Sequence, residues 1–267
     1  MMDKAKTHDF MADDISMGYD DKLIIENMTV SIPKGKFSVL IGPNGCGKST
    51  LLKSFARLLG PKSGAILLDG KSIHDIPTKQ LAREVGLLPQ SPIVPAGITV
   101  ADLVARGRFP YQNLFGGMTK KDYEAVAYAM DALGVTELKD KPVESLSGGQ
   151  RQRVWIALAL AQDTDILLLD EPTTYLDIAY QVEILDCIAK LNKEKNVTVV
   201  AILHDINLSI RYADHIFAMK KGRLIASGEP KEIITPELMR RVYGMESTIL
   251  MDPESGAPYV IPRSKAC

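Results

Sequence analysis

At 267 residues the chain has room for one large domain or two small ones, with ample length for a real core. Hydrophobic content of 46% and charged content of 24% are ordinary for a soluble globular protein, and a formal net charge of -1 excludes a global basic field that would recruit nucleic acid. Three widely separated cysteines, Cys46, Cys187 and Cys267, suit a reducing cytoplasm better than a disulfide framework.

The start, Met1 to Asp14, mixes acids and bases without an apolar core, so no signal peptide is expected there, and no apolar run approaches a membrane span. Short strands are expected at Ile15–Tyr19, Leu23–Glu26 and Met28–Ile32, followed by a turn at Pro33-Lys34-Gly35 and a strand over Lys36–Ile41. Tyr19 reads equally as a half-buried strand tyrosine or as a ring that stacks on a nucleobase, a contact worth about 1–3 kcal/mol in single-strand binders. Then come Gly42, Pro43, Asn44, Gly45, Cys46, Gly47, Lys48, Ser49 and Thr50, an ungapped G-x-x-x-x-G-K-S/T phosphate loop. Leu51, Leu52, Phe55, Leu58 and Leu59 follow at helical spacing, so the motif has its strand–loop–helix setting. Glycines let the backbone wrap so that successive N–H groups face phosphate oxygens, at a helix end that is already positive. Lys48 is placed for the β- and γ-phosphates, and the Ser49 hydroxyl for Mg²⁺.

Farther on, a strand is expected at Ala65–Leu68, a helix at Lys79–Glu84 and a buried strand at Val85–Pro89 ending at Gln90. Residues 91–118, with Pro92, Pro95, Pro110 and Gly116-Gly117, read as loop-rich, and Arg106 to Tyr111 reads as an aromatic and cationic patch suited to docking a partner. Lys120–Leu133 is an amphipathic helix capped by Thr119. Ser147 caps a helix over Arg151–Ala161, and Ser147, Gly148, Gly149 and Gln150 form a second anion-binding helix start, while Trp155 and Ile156 belong to the core. The strand Ile166–Leu169 closes on Asp170-Glu171-Pro172, a helix spans Ala179–Asn192, and the strand Val197–Leu203 ends at His204-Asp205. A hairpin, Ile216–Met219 and Leu224–Ala226, turns at Lys221-Gly222, and a proline-punctuated tail begins at Thr235.

Gly42, Gln90, Asp170-Glu171 and His204 each end an apolar strand, and in a parallel sheet such ends share the ligand-binding edge. Asp170 is placed to hold Mg²⁺, Glu171 to act as general base on water, Gln90 to orient that water or touch the metal, and His204 to meet the γ-phosphate.

Gly42–Thr50, Gln90, Leu146–Gln150, Ile166–Glu171, Asp177 and His204, in this order across nearly the whole chain, resemble the ATP-binding subunit of an ABC transporter. The resemblance implies an α/β fold: a RecA-like core with a mostly parallel sheet over roughly 14–90 and 161–230, an N-terminal antiparallel part, a helical insert near 91–160 and a tail from about 231. It implies ATP and Mg²⁺ as cofactors and a sandwich of two cassettes around two ATP, with Ser147 and Gly149 reaching the γ-phosphate of the other subunit. Tyr19 then matches the adenine-stacking aromatic and Asp177 the dimer-facing aspartate; Tyr175 stands where the family often has alanine. Arg106–Tyr111, Trp155–Ala157 and Pro172–Asp177 are similar to importers of ferric siderophores, of the ferric enterobactin type, with cobalamin and haem importers and an exporter as alternatives. That resemblance implies membrane permease partners, an indirect extracytoplasmic solute-binding protein and a place on the cytoplasmic face of the membrane. Long coiled-coil insertions, a second cassette and the economy of a nucleotide kinase are all foreign to this pattern.

Overall fold

The computed structural model describes residues 5–20, 22–90, 94, 96–112, 117–174 and 176–265. Pro92, Pro95, Gly116, Tyr175 and Cys267 lie outside the described residues. The elements in chain order are β1 (Phe10–Tyr19), β2 (Lys22–Ile32), β3 (Phe37–Ile41), α1 (Lys48–Phe55), β4 (Ser63–Leu68), β5 (Lys71–Ser72), α2 (Thr78–Glu84), β6 (Val85–Leu88), α3 (Val100–Ala105), α4 (Lys120–Ala132) and α5 (Gly148–Ala161). They continue as β7 (Ile166–Asp170), α6 (Ile178–Lys195), β8 (Thr198–Ile202), α7 (Ile206–Tyr212), β9 (His215–Lys220), β10 (Arg223–Gly228), α8 (Pro230–Ile233), α9 (Pro236–Tyr243), β11 (Met245–Met251) and β12 (Pro258–Lys265).

Two units divide the chain, one of His8–Asp75 with Thr198–Cys267 and the other of the chain up to Thr7 with Ile76–Val197. In the first, β2, β1, β4 and β5 form an antiparallel sheet in that order. β1 and β2 are longer than the sequence predicts: β2 runs unbroken through Asn27, whose φ of 46° marks a register shift against β1 rather than an end. Beside this sheet, β3 lies parallel to both β8 and β9, and β10 returns antiparallel to β9. Every residue of β3 and β8 is buried, the continuous apolar run that a two-sided parallel strand needs. The rings of Phe10 and Phe55 meet at 4.7 Å and fill the space between β1 and α1. The tail is not loose: Thr235 caps α9, Pro236 opens it, and β11 and β12 close a hairpin.

In the second unit β6 and β7 pair in parallel, and α3, α4 and α5 pack together. α4 starts at a reciprocal capping box between Thr119 and Asp122, as the cap residue predicts. Trp155 and Ile156 on α5 are buried. The loop-rich expectation for 91–118 needs correction, because Val100–Ala105 is helical, capped by the Thr99 hydroxyl on the Asp102 N–H, and Arg106–Tyr111 continues as 3₁₀ turns. No helix among the described residues is long and apolar enough to cross a membrane.

Candidate functional site

β3 delivers the chain to Gly42, which has φ 147°, and a Cβ there would lie 2.2 Å from the Met219 carbonyl oxygen. Only glycine fits so close to β9. Gly47, at φ 107°, precedes α1 without a capping side chain, so the first N–H groups of the helix have no side-chain cap from it. Lys48 is buried beside this loop, and its Nζ donates to the carbonyls of Gly42 at 2.7 Å and Pro43 at 3.1 Å. Asn44 and Gly45 are exposed at the crest, Ser49 is half-buried, and Cys46 and Thr50 point into the core. Burial pushes the Cys46 thiol up, against the pull of Lys48. The parallel register pairs Leu40 with Ile202, so His204 leaves β8 level with Gly42 on the same sheet edge. Tyr19, at the end of β1, is 45% exposed and free to offer a ring face.

The second unit carries the acidic pair. Asp170 ends β7 and is only 4% exposed. Leu88 pairs with Leu169, so Gln90 and Glu171 leave neighbouring strands at the same level. They meet: Gln90 Nε2 donates to Glu171 Oε2 at 2.6 Å, and the Thr174 hydroxyl donates to the same oxygen at 3.1 Å. Glu171 has φ 55°, a left-handed conformation that costs a non-glycine residue about 1–2 kcal/mol. Thr174 is a residue the sequence does not single out, although its spacing of three from Glu171 allows the bond. Ser147 is the cap of α5, which begins at Gly148 rather than Arg151; its hydroxyl accepts from the Gln150 N–H at 3.3 Å, and Gln150 Oε1 accepts from the Ser147 N–H at 3.2 Å. Gly148 stands in open space, and Gly149 faces Leu176 and Tyr180. Gln152 donates to the Pro172 carbonyl at 2.6 Å, tying α5 to the turn after Glu171. Asp177 is exposed at the start of α6.

The patch expected at Arg106 to Tyr111 is corrected in part: Arg106 and Phe109 are exposed, but Arg108 and Tyr111 are not. Arg108 is 5% exposed, donating to Asp122 at 2.8 Å and to the Ala161 carbonyl at 2.8 Å, and its guanidinium lies 3.8 Å from the Tyr111 ring centre. Tyr111 donates to the Asp163 carbonyl at 3.0 Å. Both residues face inward because a guanidinium and a phenol find fixed partners there, and Phe109 alone of the three side chains stands out, 61% exposed.

The donor set fits a nucleotide with a hard cation. A glycine loop at a helix start and one lysine suit phosphates, and a serine hydroxyl with one carboxylate suits Mg²⁺, which keeps several waters. Among the described residues no group of three or more histidines, cysteines or acids forms an all-protein metal cage.

A family model described as "ABC transporter" matches residues 25–174. The ferric enterobactin transport ATP-binding protein FepC of Escherichia coli (strain K12) is 51% identical over 93% of this chain and 92% of its own. The iron(3+)-hydroxamate import ATP-binding protein FhuC of Bacillus subtilis (strain 168) is 47% identical over 91% of each chain. A solved inward-facing transporter described as of the metal-chelate ABC type superposes with a TM-score of 0.82 at 29% identity, covering 99% of both chains. The dimeric ABC cassette MJ0796 superposes with a TM-score of 0.73 at 27% identity, covering 82% of this chain and 98% of that one.

Proposed function

The chain belongs to the ABC transporter family, and from that membership we propose that it is the ATP-hydrolysing subunit of a ferric siderophore importer. The observation that carries the reading is the Gly42–Thr50 loop with Lys48 buried against its carbonyls, in a chain that matches siderophore transport ATPases over nearly its whole length. Lys48 and the loop N–H groups take the phosphates, with Asn44, Gly45, Cys46, Gly47 and Thr50 supplying backbone and Ser49 and Asp170 the Mg²⁺ ligands, the latter through water. Mg²⁺ held by Ser49 and Asp170 would supply neutralisation of developing phosphate charge. Glu171 polarises the attacking water, Gln90 and Thr174 hold its carboxylate in place, and His204 meets the γ-phosphate. Tyr19 stacks on adenine. Ser147, Gly148, Gly149 and Gln150, with Asp177, serve the partner cassette of a homodimer.

In this reading the core covers 14–90 and 161–230, the inserted helices 91–160 and the tail 231–267. The subunit works at the cytoplasmic face of the membrane on a permease, which a solute-binding protein loads from the other side. Reconstitution tests this directly: the chain, its permease and the solute-binding protein are assembled in lipid, and ATP hydrolysis is followed with a ferric siderophore, cobalamin or haem. Stimulation by the ferric chelate alone is the expected result. Stimulation only by cobalamin or haem overturns the solute, and none by any loaded binding protein overturns import.

A further inference from the structure

His204 lies between elements. β8 ends at Ile202, α7 begins at Ile206, and the histidine is exposed on the bend that joins them. An exposed side chain on a bend takes its direction from the backbone on either side. On the β8 side, parallel pairing with β3 fixes that backbone. On the α7 side, Asp205 Oδ1 accepts from the Leu208 N–H at 2.8 Å, and the Asp205 carbonyl accepts from the Ser209 hydroxyl at 2.7 Å. The bend and the first turn of α7 are therefore one piece, and whatever holds that turn also aims His204.

Two anchors hold α7. Beyond its last residue, the Asp214 N–H donates to the Phe37 carbonyl at 2.8 Å, and the Phe37 N–H donates to Asp214 Oδ2 at 2.8 Å, which ties the exit of the helix to the start of β3. In its first turn, Asn207 Nδ2 donates to the Val260 carbonyl at 3.2 Å, and the Val260 N–H donates to Asn207 Oδ1 at 2.8 Å. One side-chain amide thus answers both backbone groups of a β12 residue, as a neighbouring strand would. Val260 is fully buried and pairs with Ile249 of β11, so unmade bonds there would be strongly unfavourable. Apolar packing lets surfaces slide, whereas a paired amide contact fixes both the distance and the rotation of the turn that carries it. No motif named above includes Asn207 or the tail hairpin.

We propose that Asn207 is a positioning residue for His204: its amide clasps the tail hairpin at Val260, and the clasp holds the first turn of α7 so that the histidine stays aimed at the γ-phosphate. The proposal rests on the reading of His204 as the residue that meets the γ-phosphate. It is tested on the full chain with Asn207→Leu, which is close in volume and removes both bonds, and with Asn207→Asp, which keeps an acceptor for the Val260 N–H and loses the donor. His204→Ala and the double variant His204→Ala with Asn207→Leu complete a cycle. Affinities for fluorescent ATP and ADP analogues, steady-state hydrolysis against ATP concentration, and the thermal midpoint without nucleotide are measured for each. Asn207→Leu is expected to weaken binding of the ATP analogue about 3–10-fold and to lower kcat to a similar extent, the worth of one or two hydrogen bonds, while the ADP analogue binds as to the parent. Asn207→Asp should fall between the two. Placed on His204→Ala, Asn207→Leu is expected to change ATP binding by less than about twofold, because its effect runs through a side chain already gone. If Asn207→Leu does not fold, Asn207→Asp takes its place in the cycle. A lowered midpoint with ATP binding and turnover unchanged, an equal loss of ATP and ADP binding, or the full effect on the His204→Ala background each overturns the proposal. If His204→Ala itself binds and hydrolyses ATP like the parent, the reading of His204 at the γ-phosphate fails, and the proposal goes with it.

Discussion

Glu171 is held by its neighbours rather than by its strand. β7 is apolar to its last residue, and the left-handed turn at Glu171 lifts the next carboxylate out of the run toward Gln90 and Thr174. Glu171→Gln keeps an oxygen for Gln90 and loses only the base, so nucleotide affinity should hold while turnover falls roughly 10²–10⁴-fold. Undiminished turnover would remove Glu171 from the chemistry. Asp170→Asn should differ, weakening metal binding as well as turnover, as the Mg²⁺ dependence of the rate would reveal. Lys48→Ala should abolish tight ATP binding, since each charge-assisted bond to phosphate is worth ~1.5–3 kcal/mol. Cys46 supplies an independent readout of the same loop. Its thiol is buried with a raised pKa, so alkylation should be slow at neutral pH, quicken as pH rises, and slow again when ATP is bound. Equal labelling with and without ATP would contradict its place in the phosphate loop.

At the scale of elements, the turn at 106–111, α4 and α5 are held together by an internal charge. Arg108 joins the 3₁₀ turn at 106–111 to α4 through Asp122 and to the end of α5 through the Ala161 carbonyl. Arg108→Met would leave the Asp122 carboxylate buried without its cation, a loss of about 3–5 kcal/mol in denaturant unfolding. Adding Asp122→Asn should recover part of it; no recovery would mean that packing, not charge, is at stake. Burial raises the Asp122 pKa, but hydrogen bonds from Thr119 and from Arg108 outweigh it and hold the carboxyl below the usual range. A depressed folded value contributes stability above the unfolded pKa and loses it as pH falls through the folded one, so acid unfolding below pH ~4 should be gentler in Asp122→Asn. This pair also shows where the sequence stops being legible. Parallel strands, the phosphate loop and both capping residues are written in adjacent residues, so apolar runs, glycine spacing and Ser/Thr positions reveal them. Arg108 looks like surface charge in its own hexapeptide, because its burial depends on partners 14 and 53 residues away. The order in the tail was hidden for a related reason. β11 is half-buried along most of its length, without the clean alternation that announces a strand, and it exists by pairing with β12. The Gly222 N–H donates to the Cys46 carbonyl far earlier in the chain, which no local pattern records.

For the molecule as a whole, the proposed function makes assembly with a second cassette and a permease the step that matters. Glu171→Gln should trap two chains around ATP, and light scattering with excess ATP and Mg²⁺ should report a dimer; monomer alone would count against the sandwich. The permease contact is a separate event, and Phe109 is its best candidate. The ring is 61% exposed, and the turn beneath it is fixed from several sides. Arg83 donates to the Pro110 carbonyl at 2.9 Å and lies 5.2 Å from the Tyr111 ring centre, Lys79 donates to the Gln112 carbonyl, and Arg108 anchors the turn from within. A rigid aromatic knob loses little side-chain entropy on docking, the property that makes such residues interface hot spots worth about 2 kcal/mol or more. Tyr111 and Arg108 are its foundation, so substituting them would confuse docking with folding. Phe109→Ala is therefore the clean test: ATP hydrolysis by the purified subunit should stay within a few-fold of the parent, while co-purification with the permease weakens and ferric siderophore uptake falls. If the variant still co-purifies and supports full uptake, the permease docks elsewhere on the subunit. If hydrolysis by the purified subunit collapses as well, Phe109 supports the nucleotide chemistry and is not a docking residue.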